Sequence, residues 1–353
     1  MATLKLPGLI DPHVHLREPG ATHKEDFDTG TAAALAGGFT LVLDMPNNTP
    51  PITDAATLTA KQHLARQHAR CDYGLHLGAG ADNLETAQQL APQVTGLKLY
   101  LDQTFGPLRL DDLGSLIEHL ERWPAGAPVL CHAEGRTLAA CLLAAHLTGK
   151  HVHLCHVSRK DEIDLIRRAK DKGINVTCEA TPHHLFLTAE AAATIGRGRS
   201  EVRPRLAKET DKHGLRAALD TIDCLATDHA PHTLAEKDSP TPPPGFPGLE
   251  TALPLYLELV REGLISLAQL IERTVHNPRR IFHLPDQPET WIEIDPDEAW
   301  LVRGAELQTR AQWSPFEGWT LTGRVQRVVL RGAEAYRNGT VLAAPGFGRD
   351  VRV

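Results

Sequence analysis

The sequence predicts an α/β protein, a (β/α)8 TIM-type barrel with a small β-rich appendage formed by the C-terminal segment and the chain ends. Three observations carry this. Short apolar runs alternate with helical periodicity up to Asp228. There are eight such runs, and eight strands with their helices over about 250 residues are the arithmetic of this barrel. Beyond about residue 290 the helical pattern gives way to short strand patterns. A doubly wound open sheet is the alternative, but no G-x-G-x-x-G follows the first strand.

The strand-like runs fall at 6–15, 39–44, 71–78, 96–101, 127–133, 151–157, 174–180 and 222–228. Helical stretches at 26–36, 55–68, 113–122, 136–147 and 159–172 separate most of them. The stretch 188–219 is less regular and holds the polar GRGRSEVRPR. After Asp228, HAPHTLAEKDSPTPPPGFPG is too rich in proline for helix or central strand and reads as a long loop. Helical patterns resume at 249–262 and 267–275, and WIEI, AWLV, RVQRVVL, AYRN and TVLAA read as appendage strands. The implied division is a barrel at 6–285 and an appendage at 286–353.

Composition excludes several function classes. Of 353 residues, 37 are Lys or Arg and 44 Asp or Glu, a formal charge of −7, without the basic footprint of a nucleic-acid binder. Hydrophobic residues are 42% and charged ones 23%, a balance that builds a core rather than a disordered chain. No apolar run approaches the roughly 18 residues of a membrane span, and residues 1–20 lack the apolar region of a secretory signal. Six scattered cysteines without a C-x-x-C pair fit a reducing, cytoplasmic setting.

In such barrels the chemistry lies at the C-terminal ends of the strands. Those ends read His13 and His15 on the first, Lys98 on the fourth and His132 on the fifth. Cys155 and His156 end the sixth, Glu179 the seventh and Asp228 the eighth. A single histidine is more often a packing residue than a ligand; metal-ligand types at nearly every relevant end reverse that reading. His13 and His15, two apart, face one side of a strand. Lys98 as an ammonium cannot ligate. As a carbamate, formed with CO₂, it is an anion able to bridge two metals; the plainer alternative is a lysine paired with a carboxylate. Two bridged metals about 3.5–4 Å apart would hold an activated hydroxide and polarise an amide carbonyl. Asp228 can both ligate and pass a proton to a leaving nitrogen, its alternative being a helix N-cap. The pattern points to metal-assisted amide hydrolysis.

Three further residues read as substrate groups. Arg17 has a fork suited to a carboxylate, the alternative being a surface ion pair with Glu18. Asn47 lies in MPNNTPP, as a loop amide or a turn former. His232 follows Asp228 by four residues on the same loop.

DPHVHLREPG, GLKLY, HVSRK, CEATPHHL and ATDHAPHT resemble the cyclic amidohydrolases, and among them the dihydroorotases. LPGLIDPHVHLREPGATHKEDF, TAAALAGGFT, PPPGFPGLET and HNPRRIFHLP are similar to the dihydroorotase domain of the animal multifunctional pyrimidine-biosynthesis polypeptide. The resemblance runs from about Leu6 to Asp350. It implies reversible cyclisation of N-carbamoyl-L-aspartate to L-dihydroorotate on the way to UMP. It also implies two or three Zn²⁺. His13, His15, Lys98 as N6-carboxylysine and Asp228 would hold the first, and Lys98, His132 and His156 the second. Cys155 and Glu179 would belong to the third. Arg17, Asn47, Arg203, His232 and Pro244 match substrate positions, and Thr104 and Phe105 the tip of a closing loop. The family expectation is a homodimer, working with other pyrimidine-pathway enzymes. Neighbouring Cys155 and His156 can both reach metals only at a strand end or bulge. Competing readings are a dihydropyrimidinase, hydantoinase or allantoinase, and a non-catalytic scaffold relative, which should have lost ligands.

Overall fold

Gly8 divides the first apolar run in two. A side chain there would meet Thr40 Oγ1 at 2.3 Å, so the backbone passes close to the barrel while crossing between two sheets. In this computed structural model, which describes residues 3–352, β1 (Leu4–Pro7) joins the appendage and β2 (Leu9–Val14) opens the barrel. The expected single strand over 6–15 is therefore corrected: Leu6 and Pro7 pair with Ile292 and Trp291.

The barrel continues through β3 (Phe39–Asp44), β4 (Asp72–Gly78), β5 (Gly96–Tyr100) and β6 (Val129–His132). It ends with β7 (Val152–Leu154), β8 (Val176–Ala180) and β9 (Cys224–Leu225). All are parallel neighbours in chain order. Nearly every strand residue is buried, as a parallel sheet covered on both faces requires. The seam between β9 and β2 closes through a Val14–His229 bridge, and His15 N–H donates to His229 O at 2.8 Å. Beneath it, buried Asp11 accepts from the backbone N–H groups of His13 (3.1 Å) and Thr227 (3.2 Å) and from the Thr227 hydroxyl (2.5 Å). Burial pushes the Asp11 carboxyl up to about 7.

The barrel floor is filled by Ile10, Leu41, Leu43, Leu130 and Phe282. Phe282 packs against the rings of His76 and His153, at 5.7 and 5.2 Å. The appendage is an antiparallel sheet of β1, β10 (Trp291–Leu301), β11 (Thr320–Leu330), β12 (Ala333–Arg337) and β13 (Thr340–Val341). WIEI and AWLV belong to one strand, interrupted by a bulge between Asp295 and Ala299. The proline-rich loop holds one helical turn, Leu234–Lys237, capped reciprocally by Thr233 and Glu236. The T-x-x-E signal for it stands in the sequence. Among the described residues no helix is long and apolar enough to cross a membrane.

Candidate active site

The histidine pair and Asp228 converge as the strand ends required. His13 Nε2 and His15 Nε2 lie 3.3 and 3.1 Å from the same Asp228 oxygen, Oδ1. The other ring nitrogens are occupied. His15 Nδ1 meets Asn47 Oδ1 at 2.6 Å, while Asn47 Nδ2 donates to Phe105 O, which makes Oδ1 the acceptor. His13 Nδ1 is bonded to Glu179 Oε1. Both rings thus turn an Nε2 lone pair toward a carboxylate oxygen. Burial pulls His15 down to about 3 and keeps it neutral. Two lone pairs facing an anion fit a cation seated among them.

Next to this trio, His132 Nδ1 and His156 Nε2 face each other at 2.9 Å. Their outer nitrogens, His132 Nε2 and His156 Nδ1, are buried without a hydrogen-bond partner among the described residues. Burial lowers both imidazoles, leaving the neutral, ligating form. The strand-end condition for Cys155 and His156 is met: β7 stops at Leu154, and His156 adopts φ 36°. Cys155 therefore turns inward, to Lys98 and Glu179. The ligand atoms of His13, Cys155 and Glu179 lie within 4.8 Å of one another, as do those of His13, His15 and Asp228.

Lys98 is fully buried. Its Nζ meets Cys155 Sγ at 2.9 Å and lies 5.1 Å from the Tyr100 ring centre. Among the described residues it has no carboxylate partner, so the ordinary-lysine alternative does not describe it. A buried ammonium without an anion is costly.

A small cavity is lined by His13, His15, Lys98, His132, His156 and Asp228 together with Arg17, Asn47, Tyr100, Thr104, Phe105, Arg203 and Pro244. Cys155 and Glu179 lie behind the wall, and His232 stands behind Phe105 and Arg17. Arg17 is 4% exposed, with Nε donating to Pro231 O at 3.0 Å. The ion pair with Glu18 does not form; Glu18 faces His68 instead. Burial lowers Arg17 to about 10, still a cation at neutral pH. Nor is Asp228 a helix cap. Arg17 and Asp228 take left-handed backbone, φ 62° and 47°, strain of the kind that clusters at functional sites.

Residues 4–287 match the amidohydrolase family. The multifunctional protein CAD of Squalus acanthias is 52% identical over 99% of this chain, which spans only 16% of that polypeptide. The dihydroorotase of Pyrococcus abyssi is 33% identical over 98% of this chain and 87% of its own length. The chain belongs to the amidohydrolase family, among the dihydroorotases. In the fold comparison, the L-hydantoinase of Arthrobacter aurescens superposes with a TM-score of 0.94 at 24% identity, covering 99% of this chain and 89% of its own. An inactive dihydroorotase-like domain of a Chaetomium thermophilum CAD-like protein gives 0.84 at 29% identity, covering 99% of each chain.

Family membership places the chain among hydrolases acting on cyclic amides. Several residues of this amidohydrolase site were missed by sequence reasoning. Tyr100 lines the cavity with its hydroxyl buried and unpartnered among the described residues. His153 bonds Glu179 Oε2 at 3.1 Å. Lys237 donates to the carbonyls of Glu201 (2.7 Å), Pro243 (2.9 Å) and Gly245 (3.2 Å), tying the Arg203 wall to the Pro244 wall. His184 Nε2 meets Pro204 O at 3.1 Å, next to Arg203. The doublet HH in CEATPHHL and the lysine at the foot of the proline-rich loop were visible; their partners, distant in sequence, were not.

Proposed function

We propose that this chain is a zinc-dependent dihydroorotase, interconverting N-carbamoyl-L-aspartate and L-dihydroorotate in pyrimidine synthesis. The observation that carries it is the convergence of two Nε2 lone pairs on Asp228 beside a buried, anion-free Lys98. His13, His15, carboxylated Lys98 and Asp228 would hold one zinc, and Lys98, His132 and His156 a second. His13, Cys155 and Glu179 would gather at a third. When bound, the metals supply Lewis acidity toward the amide carbonyl and lower the pKa of water.

The chain's own residues do the rest. Arg17 and Arg203 present cations to the substrate carboxylates, and Asn47 orients His15 while its amide holds Phe105 O. Thr104 and Phe105 cover the cavity, which limits water during ring closure. In the hydrolytic direction water adds to the ring carbonyl, the C–N bond breaks, and Asp228 Oδ carries the water proton to the departing nitrogen. Ring closure runs the same transfers backwards and releases water.

The carboxylate-binding arginines favour dihydroorotate over hydantoin or dihydrouracil, which lack that group. A scaffold role is disfavoured because all eight metal-ligand residues expected from the sequence are present. We also assign a homodimer working beside other pyrimidine-pathway enzymes, and a cytoplasmic setting in which all six cysteines stay free, as they are here. The test is ultraviolet-monitored turnover of L-dihydroorotate by zinc-loaded protein, with Asp228→Ala as control. Turnover lost in the variant supports the reading. Activity on hydantoin or dihydrouracil alone overturns the substrate, and silence toward all three, with zinc bound, overturns the reaction.

A further inference from the structure

His232 stands between three groups that compete for its two ring nitrogens. Lys24 Nζ approaches Nδ1 at 3.1 Å. On the other side Nε2 has two neighbours, Pro244 O at 3.0 Å and Arg17 Nη2 at 3.1 Å. The ring is fully buried, and burial with the nearby Arg17, Lys24 and Lys237 cations keeps it neutral, so it carries one N–H.

Only two arrangements exist for a neutral ring. If the proton is on Nδ1, it points at the Lys24 ammonium, donor against donor, and Pro244 O loses its partner. If it is on Nε2, Nδ1 accepts from Lys24 and Nε2 donates to Pro244 O. The second satisfies two contacts, the first only one, with Arg17. Lys24 is itself held: Glu236 Oε1 lies 3.1 Å from its Nζ, and the Phe105 ring centre lies 4.7 Å away. Glu236 is in turn fixed by the Thr233 N–H at 3.0 Å.

We propose that Lys24 is a positioning residue that locks His232 in the Nε2–H tautomer. The consequence falls on Arg17. An Nε2 that carries a proton cannot accept from Arg17 Nη2, so among the described residues the guanidinium keeps only its Nε bond to Pro231 O. Its two terminal nitrogens remain free for a bidentate carboxylate in the cavity. In the opposite tautomer His232 would draw one of the two Nη2 protons and pull that nitrogen toward the loop. This inference rests on the proposed substrate; the tautomer itself does not depend on it.

The experiment uses zinc-loaded protein with ¹⁵N-labelled histidine rings. Long-range ¹H–¹⁵N correlation spectra are read for wild type, Lys24→Met and Lys24→Arg, with His232→Gln identifying the His232 signals. Wild type is expected as the Nε2–H tautomer and Lys24→Met as a mixture with the Nδ1–H form. In parallel, Lys24→Met should raise KM for dihydroorotate about tenfold with kcat within twofold, and Lys24→Arg should restore most of both readouts. An Nδ1–H ring in wild type, or a tautomer and KM unchanged in Lys24→Met, overturns the proposal. Loss of KM without a tautomer change overturns it too, leaving Lys24 a direct binding group. Wild-type silence toward dihydroorotate would refute the substrate reading while the spectra still judge the tautomer.

Discussion

Glu179 accepts a hydrogen bond from His13 Nδ1, and that contact decides which edge of the His13 ring meets Asp228. The same carboxylate takes the His156 backbone N–H at 3.1 Å and His153 Nε2 at 3.1 Å. One buried acid on β8 thus orients residues from two other strands, His13 from β2 and His153 and His156 from β7 and its end. Burial would raise its pKa, but His13 and His153 prevail and hold it well below the usual range. Glu179→Gln keeps the shape and removes the charge. We expect zinc content to fall and dihydroorotate turnover to drop about 10–100-fold, the usual effect of removing such an orienting partner. Metal analysis beside circular dichroism checks this; full zinc occupancy and full rate would refute it.

Asp228 lines the cavity and presents there the oxygen on which His13 and His15 converge, which places it to pass a proton. Asp228→Asn retains an oxygen ligand without the basicity. Turnover should fall about 10²–10⁴-fold, the range for loss of a general acid–base group, with a much smaller change in KM. A variant that keeps a tenth of the wild-type rate would move the proton transfer elsewhere.

Arg17 offers a buried cation with no carboxylate partner among the described residues. A charge-assisted bond to substrate of about 1.5–3 kcal/mol corresponds to roughly a 10–150-fold rise in KM for dihydroorotate in Arg17→Ala. Metal content should not change. A near-normal KM in that variant sinks the assignment.

Much of the barrel was legible because buried parallel strands leave apolar runs and their ends leave polar ones. His13, His15, Lys98, His132, His156 and Asp228 all stood at run ends and all line one cavity. What was not legible depends on backbone turns and distant partners. The break at Gly8 follows from the approach of Thr40. The left-handed turns at Arg17, His156 and Asp228 fall on non-glycine residues, for which positive φ is uncommon. The roles of Lys24 and Glu179 follow from contacts made across the fold, to His232 and His13. Two appendage strands read as separate because the bulge before Ala299 interrupts their pattern.

Lys237 gives a pH dependence with a definite sign. Burial, with Arg17 and Arg203 nearby, lowers it from 10.5 to about 7. Between pH 7 and 10.5 the unfolded chain therefore binds the proton that the folded chain has released, so stability from this site rises with pH in that window and is lost as pH falls through 7. From pH 7 to 9 the gain is about 2 kcal/mol. Comparing wild type with Lys237→Met by denaturant unfolding at both pH values cancels the other groups. The difference in stability should shift in favour of wild type at pH 9; a flat difference contradicts it.

Trp313 links the appendage to the loop that carries His232. It lies in the excursion between β10 and β11, yet its indole N–H donates to His232 O at 2.7 Å. Its ring meets Phe246 edge-on at 6.2 Å and lies 5.6 Å from Lys237 Nζ. The indole therefore supports the loop carrying His232 from beneath. Trp313→Phe keeps most of the apolar packing but strands a carbonyl, at a cost of about 1–3 kcal/mol. We expect a lower Tm and a several-fold higher KM for dihydroorotate, with zinc content unchanged, because the partners that hold this ring, His232 O, Phe246 and Lys237, are not metal-ligand residues. If Tm falls while KM stays at the wild-type value, the appendage braces the barrel without positioning the substrate loop.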